Sequence, residues 1–237
     1  MTTINLYGVK DYIEDEKYAD SVETAKKTFK EAFALYTDEG FESFDGWKRE
    51  SQTAQHSVYS RQMSYGKLFA LRSVIAKPLE TVFAERWHGL DSVANWNNNI
   101  EFSSTVKKLS SHIDIAHYAN RDVLMVKSRD YVAVRIWRKI DGDYYLIVRS
   151  TDVDDVPPSD RVRAIIHMGA GRFRQDPNDP GQTLVDLMLC IDFGGSIPRY
   201  IINTVMGKLM IKDFEETRKH IESIGDTDTD NDDEESE

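Results

Sequence analysis

The chain has 237 residues, of which 40% are hydrophobic and 30% charged, a composition that lets a globular protein bury a sizeable core. The formal net charge is −11, but residues 225–237 contain eight acidic side chains and no basic one, so the rest of the chain carries only −3. This mildly acidic body argues against a nucleic-acid-binding groove. No apolar run approaches the roughly 20 residues that span a bilayer.

The first elements in chain order combine an amphipathic helix with a hairpin. Residues 1–18 are polar and lack periodicity, so we expect a loosely attached N-terminal arm. Apolar residues at helical spacing from Val22 to Tyr36 predict a helix that ends at Gly40. β-Branched and aromatic residues up to position 77, with a turn signal at Gly66, predict a hairpin. Pro78 opens a second amphipathic helix.

Residues 100–193 are typical of successive strands, predicted at 100–106, 109–119, 131–140, 144–152, 161–173 and 183–193. Asp141-Gly142 is a two-residue hairpin signal. Consecutive hairpins predict an antiparallel sheet and an α+β class, in one domain over residues 19–224. We expect the helices to cover one side of this sheet.

A long helix is predicted over residues 194–224, with Ser196 as its cap and Pro198 in its first turn. Its apolar residues occupy about half of the circumference, which requires a broad apolar surface beneath it. Several strands are apolar on both faces, and the helices are too few to cover both. The sheet must therefore close on itself or enclose an apolar cavity.

The sequence contains no recognisable catalytic or metal-binding motif. Gly169-Ala170-Gly171 lacks the third glycine of a dinucleotide-binding loop, and no phosphate-binding loop occurs. His112 and His117 fall on opposite faces of a predicted strand, so they cannot bind one metal ion together. Cys190 lies in an apolar run, and we expect an inert buried thiol. We therefore expect no catalytic residues, no metal and no cofactor.

Three motifs in order resemble those of the START (StAR-related lipid-transfer) domain family. Residues 128–135, SRDYVAVR, resemble the family's RDFV strand, and residues 161–164, RVRA, its G-x-I/V-R-A strand. Residues 189–203, LCIDFGGSIPRYIIN, resemble its entry into the final helix. Trp96 and residues 113–118 fit two further positions. The resemblance extends over residues 19–224 and is strongest to the sterol-carrying StAR-like branch.

The resemblance implies a helix-grip fold: a curved antiparallel sheet wrapped around a long C-terminal helix, with an internal apolar cavity. It implies non-enzymatic binding of a single lipid, in the first place a sterol, and its transfer between membranes. A phospholipid or fatty-acid carrier, a lipid sensor, and a helix-grip cyclase or hydrolase remain alternatives. We expect a monomeric cytoplasmic protein, without a signal peptide, that contacts membrane surfaces transiently and binds no nucleic acid.

The resemblance also implies a polar group inside the cavity. Arg135 matches the buried arginine of the StAR-like branch, which an acidic residue in the neighbouring strand accompanies. Here Tyr118 occupies that neighbouring position, whereas Asp114 lies four residues earlier on the same strand face and could be the partner. The expected cavity walls are Met125, Trp137, Phe193, Met206, Met210 and Phe214.

Three segments are expected to be mobile or disordered. The apolar loop at residues 123–125 suits a lid, and Gly194-Gly195 suits a hinge for the final helix. Residues 225–237 are expected to be a disordered acidic tail, in which Thr227 and Thr229 are candidate phosphorylation sites.

Overall fold

The computed structural model describes residues 1–122, 126–195 and 197–225. Within these residues the helices are α1 (Ala19–Tyr36), α2 (Glu39–Ser43), α3 (Leu79–His88), α4 (Val93–Trp96) and α5 (Arg199–Ser223). The strands are β1 (Thr2–Leu6), β2 (Val9–Ile13), β3 (Lys48–Gln52), β4 (Ser57–Met63), β5 (Gly66–Ile75), β6 (Ile100–Lys108), β7 (Ile113–Asn120), β8 (Arg129–Ile140), β9 (Asp143–Ser150), β10 (Val162–Arg163), β11 (Ile165–Asp176) and β12 (Asp179–Asp192).

A mainly antiparallel sheet forms the centre of the molecule, with the strand order β3-β4-β5-β12-β11-β9-β8-β7-β6. The predicted hairpin at Asp141-Gly142 is confirmed, since both residues have the positive φ values that a tight turn requires (+51° and +91°). The strand predicted over residues 161–173 is divided in two. Its start, β10, pairs in parallel with β8, and its continuation, β11, pairs with β9.

Helices lie on both faces of the sheet, so the prediction that they cover one side was wrong. On the outer face, Phe29 of α1 belongs to the same buried cluster as Val132 and Val134 of β8. On the inner face, α3 and α5 form a second cluster, which includes Phe173 and Met210. Strands such as β8 are apolar on both faces because α1 covers one face and the other faces the α3–α5 side.

The N-terminal segment is a hairpin docked on the outer face, and the expected loose attachment was wrong. β1 and β2 pair over five residues each, and Ile4, Leu6 and Ile13 are 2% exposed or less. The polar residues alternate with these apolar ones, so one face of the hairpin is buried and the other is hydrated. The alternation over a short polar segment was the signal that the sequence analysis missed.

The sheet curves around α5. Nine strands about 4.8 Å apart would make a flat sheet roughly 38 Å wide. Yet a Cβ atom on Gly207 of α5 would lie 3.8 Å from Val58 of β4, and Asp213 accepts a 2.8 Å hydrogen bond from Asn97, just before β6. One helix thus meets both ends of the sheet. Register irregularities between β6 and β7 contribute to the bending.

Pro198 caps α5 instead of occupying its first turn, and Gly194 and Gly195 before it have φ values of +63° and +69°. Ser196, the predicted cap, lies outside the described residues, as do the predicted lid at 123–125 and the acidic tail beyond residue 225. No helix in the described part of the chain is both long enough and apolar enough to span a membrane.

A buried ion pair fastens the N-terminal hairpin to the sheet, and its removal should destabilise the fold. Arg138 donates to Asp11 Oδ2 at 2.5 Å and to the Leu6 carbonyl at 3.1 Å, and its side chain is fully buried. We expect Asp11→Ala to reduce the free energy of unfolding by about 3–5 kcal/mol, because it leaves the Arg138 charge buried and unpaired. Urea denaturation at pH 7 measures this loss. The exposed Glu14→Ala serves as the matched control, and equal losses would contradict the prediction.

The same ion pair should contribute a defined pH dependence. Burial raises the pKa of Asp11, but hydrogen bonds from Ser110 and His112 and the charge of Arg138 outweigh it, so the pKa lies below its usual value. A lowered pKa in the folded state stabilises the protein above the unfolded-state pKa of about 3.9, and this stabilisation is lost as the pH falls below it. The stability difference between wild type and Asp11→Ala should therefore narrow below about pH 4.

Candidate functional site

A cavity of about 320 Å³ lies between α5 and the inner face of the sheet; we call it the main cavity. Its walls are mostly apolar side chains of β9, β11, β12 and α5, among them Leu146, Val148, Ile166, Phe173, Leu187, Leu189, Ile191, Ile202, Met206, Leu209 and Met210. This volume is within the usual range of small-molecule sites, and the mostly apolar lining with a few polar groups is also typical of them.

Two glycines of β11 shape the wall of the main cavity. A Cβ atom on Gly171 would lie 2.8 Å from the ring of Phe173, and one on Gly169 would lie 3.2 Å from Val148. The absence of side chains at both positions lets neighbouring side chains pack over the strand. The Gly169-Ala170-Gly171 sequence therefore has a packing role in the cavity wall.

A second compartment of about 190 Å³ adjoins the main cavity; we call it the side compartment. Arg86, Tyr118 and Asp213 line both spaces, so polar groups stand at their junction. The side compartment, but not the main cavity, is also lined by Arg135, Glu85 and Asn97. The binding space is thus apolar over most of its length and polar at one end.

Arg135 and Asp114 form a closed ion pair beside the side compartment. They are directly opposite each other on β8 and β7. Arg135 donates from Nε to Asp114 Oδ1 at 2.8 Å and from Nη2 to Oδ2 at 2.5 Å, and Nη2 also reaches the Trp87 carbonyl at 3.1 Å. The guanidinium carbon lies 4.7 Å from the centre of the Trp87 ring. Asp114, and not Tyr118, is therefore the partner of Arg135.

Tyr118 contributes a neutral hydroxyl at the junction of the two compartments. Its ring stacks on Tyr131 at 4.8 Å, and burial raises its pKa well above the usual value. Tyr131 in turn donates to Asn120 Oδ1 at 3.1 Å. The Tyr118 hydroxyl is therefore a donor or acceptor at neutral pH and carries no charge.

Arg86 is a charged group of the cavity that the sequence analysis missed. Within the part of the chain that the structure describes, its guanidinium makes no hydrogen bond or ion pair. Burial lowers its pKa from the usual value; the charge of Asp213 opposes this effect, and the positive charge of Arg135 adds to it. The signal was present, because Arg86 follows Val82 and Phe83 at helical spacing and so falls on the apolar stripe of α3.

Asp213 is a second charged residue of the cavity that the sequence did not lead us to predict. It follows Met206, Leu209 and Met210 on the stripe of α5 that lines the cavity. Its Oδ1 accepts a hydrogen bond of 2.8 Å from Asn97 Nδ2. A charged residue inside an otherwise apolar helical stripe was the pattern that indicates both Arg86 and Asp213.

The other predicted wall residues divide into two groups. Phe193, Met206 and Met210 line the main cavity, together with Tyr118. Trp137 lies outside the cavity lining, in an aromatic group with Phe83, Trp87 and Tyr144, and its indole donates to the Ser111 carbonyl at 3.2 Å.

Phe214 also lies outside the cavity lining, since it faces the ring of His56 at 5.4 Å. Met210 and Phe214 are four residues apart and share a face of α5, but Met210 lines the cavity whereas Phe214 packs against His56. Met125 falls outside the described residues.

The three family-like motifs meet at one end of the main cavity. Arg129 donates to the carbonyl of Phe193 at 2.8 Å, which links β8 to the approach to α5. Asp130 pairs with Arg163 at 2.8 Å, and its backbone carbonyl accepts from Ala164 at 3.0 Å. These contacts hold the strands and the approach to α5 together. The polar groups that line the cavity come from other residues.

The remaining histidine and cysteine candidates have structural partners. His112 bonds to Asp11 at 2.9 Å and His117 to Asp130 at 3.2 Å, so each has a carboxylate of its own. No cluster of His, Cys, Asp or Glu among the described residues could hold a metal ion. Cys190 is buried, as predicted, and burial raises its pKa to about 11, which keeps the thiol protonated.

Comparison with known proteins shows the same family over most of the chain. Residues 29–227 match the START domain. The chain is 35% identical over 226 residues to steroidogenic acute regulatory-like protein 1 of Caenorhabditis elegans, with 93% of this chain and 87% of that protein covered. It is 26% identical over 220 residues to the mitochondrial steroidogenic acute regulatory protein of Bos taurus, with 89% and 75% covered.

A solved structure shows the same architecture. Human StAR-related lipid transfer protein 5 superimposes with a TM-score of 0.75 at 16% identity, covering 86% of this chain and 97% of that one. At this identity the likeness concerns the fold, and it confirms the helix-grip architecture that the motifs predicted. By the extent of the family match and by its similarity to the C. elegans protein, the chain belongs to the START domain family.

Proposed function

We propose that this protein binds one lipid molecule, in the first place a sterol, and carries it between membranes without chemical change. The main cavity is the observation that carries this proposal: about 320 Å³ of mostly apolar space, with polar side chains at one end. Family membership and the similarity to two steroidogenic acute regulatory proteins support it.

The physical basis of a carrier is the cost of exposing a lipid to water. Each methylene group moved from an apolar environment into water costs about 0.8 kcal/mol, so ten of them cost about 8 kcal/mol, or roughly a 10⁶-fold change in equilibrium. A cavity that accompanies the lipid removes most of this cost. Transfer then needs only binding and release.

The shape and polarity of the binding space favour a lipid with one small polar group. The apolar walls suit a rigid hydrocarbon body, and the polar residues at the junction suit a single hydroxyl. A phospholipid or fatty acid would place a phosphate or carboxylate at this junction, beside the carboxylate of Asp213. Because Arg86 and Asp213 carry opposite charges at this junction, it offers an anion no net positive charge, and a neutral hydroxyl suits it better.

Entry of the lipid requires α5 to move, and we propose that its N-terminal half moves first. In the described part of the helix, polar attachments are found from Asp213 onward: Asn97 to Asp213, His56 to Glu215 and His220 to Glu85. The preceding turns face the cavity with Ile202, Met206 and Leu209. Gly194 and Gly195, both in the left-handed region, supply the hinge.

The proposal includes transient contact with a membrane surface, because the lipid must leave and re-enter a bilayer. It places the protein in the cytoplasm and at the periphery of membranes, where a single unpaired thiol such as Cys190 stays reduced.

Bound lipid should be detectable directly, and a side chain that fills the cavity should prevent its binding. Leu209 lines the main cavity, whereas the adjacent Lys208 is exposed. We expect Leu209→Trp to weaken binding of a fluorescent sterol at least about tenfold, since losing even two buried methylene contacts costs that much. Lys208→Trp, the matched control, should bind like wild type. Fluorescence titration measures both.

Organic extraction and mass spectrometry of the purified wild-type protein provide the independent check. A sterol or another lipid should be recovered at up to one molecule per chain. Recovery of no lipid, together with no binding of sterol, phospholipid or fatty acid in titration, would overturn the carrier proposal.

The Arg135–Asp114 pair should act mainly on stability. Arg135→Leu leaves Asp114, which is 2% exposed, as an unpaired buried charge, so we expect a loss of about 3–5 kcal/mol in urea denaturation. The double variant Asp114→Leu/Arg135→Leu should regain most of this loss, because well-packed apolar residues can replace a buried ion pair. Its sterol affinity should fall less than about tenfold, and a larger fall would assign Arg135 to direct ligand contact.

A further inference from the structure

Arg86 and Asp213 face the junction of the two compartments from different helices. Arg86 is on α3 and Asp213 is on α5, and both line the main cavity and the side compartment. The two charges interact electrostatically, yet they form no ion pair with each other. A polar group at the junction of the two compartments therefore faces both charges.

The other charged groups at this end already have protein partners. Arg135 is held by both oxygens of Asp114. Glu85 accepts a hydrogen bond of 2.8 Å from His220. By contrast, the guanidinium of Arg86 has no bonding partner among the residues that the structure describes. Of the two arginines that line the side compartment, Arg86 is therefore the one without a hydrogen-bonding partner in the described chain.

Only one carboxylate oxygen of Asp213 has a hydrogen-bond donor in the described chain. Its Oδ1 accepts from Asn97, which fixes the orientation of the carboxylate, while its Oδ2 has no donor within the described ranges. Asp213 is solvent-accessible and lines the cavity, so its Oδ2 can accept a hydrogen bond from a ligand there. The pair thus presents one set of donors, on Arg86, and one acceptor, on Asp213.

We propose that Arg86 and Asp213 bind the hydroxyl group of a lipid alcohol, which accepts a hydrogen bond from Arg86 and donates one to Asp213. A hydroxyl is the group that matches this arrangement, because it has one donor and two acceptor lone pairs. A ketone offers no donor to Asp213, and an ionised carboxylate, although attracted by Arg86, is repelled by Asp213 and also offers it no donor. The inference rests on the proposed lipid-binding function and names the polar group that the site selects.

This assignment differs from the expectation that Arg135 alone orients the ligand. Arg135 donates hydrogen bonds to Asp114 and to the Trp87 carbonyl. It therefore supports the wall of the side compartment and adds a positive charge near Arg86. Arg86 and Asp213 are the groups whose remaining bonds the protein leaves to the ligand.

The test compares a 3-hydroxysterol with its 3-ketosteroid analogue as competitors of a fluorescent sterol, in wild type and in two variants. Wild type should prefer the alcohol by about tenfold or more, the usual effect of one hydrogen bond to a charged group. Arg86→Met should weaken binding of both competitors. Asp213→Asn, whose amide can donate to a ketone, should abolish or reverse the preference for the alcohol, which a merely structural role would not do.

The controls separate folding from recognition. Arg86→Met removes a charge without a bonding partner, so its thermal stability without ligand should equal or exceed that of wild type. Lys212→Met, an exposed change next to Asp213 on α5, should alter neither affinity nor preference.

The outcomes distinguish this inference from the proposed function. If wild type binds no sterol, the carrier proposal for sterols fails. If wild type binds sterol but both variants retain its affinity and its preference for the alcohol, the carrier proposal stands and the hydroxyl site is overturned. Tighter binding of a fatty acid by Asp213→Asn than of a sterol by wild type would also overturn it, in favour of an acidic ligand.

Discussion

The structure depends on a mismatch between the width of the sheet and the width of a single helix. Nine strands present an inner apolar face that α5, with α3 beside it, cannot cover completely. The sheet curves until both of its ends meet α5, and this leaves the space between helix and strands unfilled by side chains. The cavity thus follows from the same hydrophobic burial that stabilises the fold.

The distribution of charge separates structure from recognition. Asp11 with Arg138 and Asp114 with Arg135 are buried pairs in which each charge has its partner, so they hold elements together. Arg86 and Asp213 line the cavity, and each can still form further hydrogen bonds. The buried ion pairs hold the sheet and its N-terminal hairpin in place. Arg86 and Asp213 are the charged groups that can bind a ligand.

The errors of the sequence analysis have a common cause. The helices were expected to cover one side of the sheet, although α1 packs on one face and α3 and α5 on the other. Residues 1–18 were considered too polar to pack, although every second residue of β1 and β2 from Ile4 to Ile13 reaches the core or its edge. Arg86 and Asp213 were not predicted, although each lies on the apolar stripe of its helix. In each case the wrong prediction concerned which face of a helix or strand packs against the rest of the protein.

The sequence by itself determined most of the helices and strands from α1 to α5, the tight turn at Asp141-Gly142, the long C-terminal helix and the family. These depend on local periodicity, turn chemistry and motifs, which neighbouring residues encode. Only the tertiary structure decided that β5 lies beside β12, that Asp114 pairs with Arg135, and that Arg86 and Asp213 line the same cavity. These contacts join residues far apart in the chain, and their geometry arises from the curvature and packing of the whole sheet.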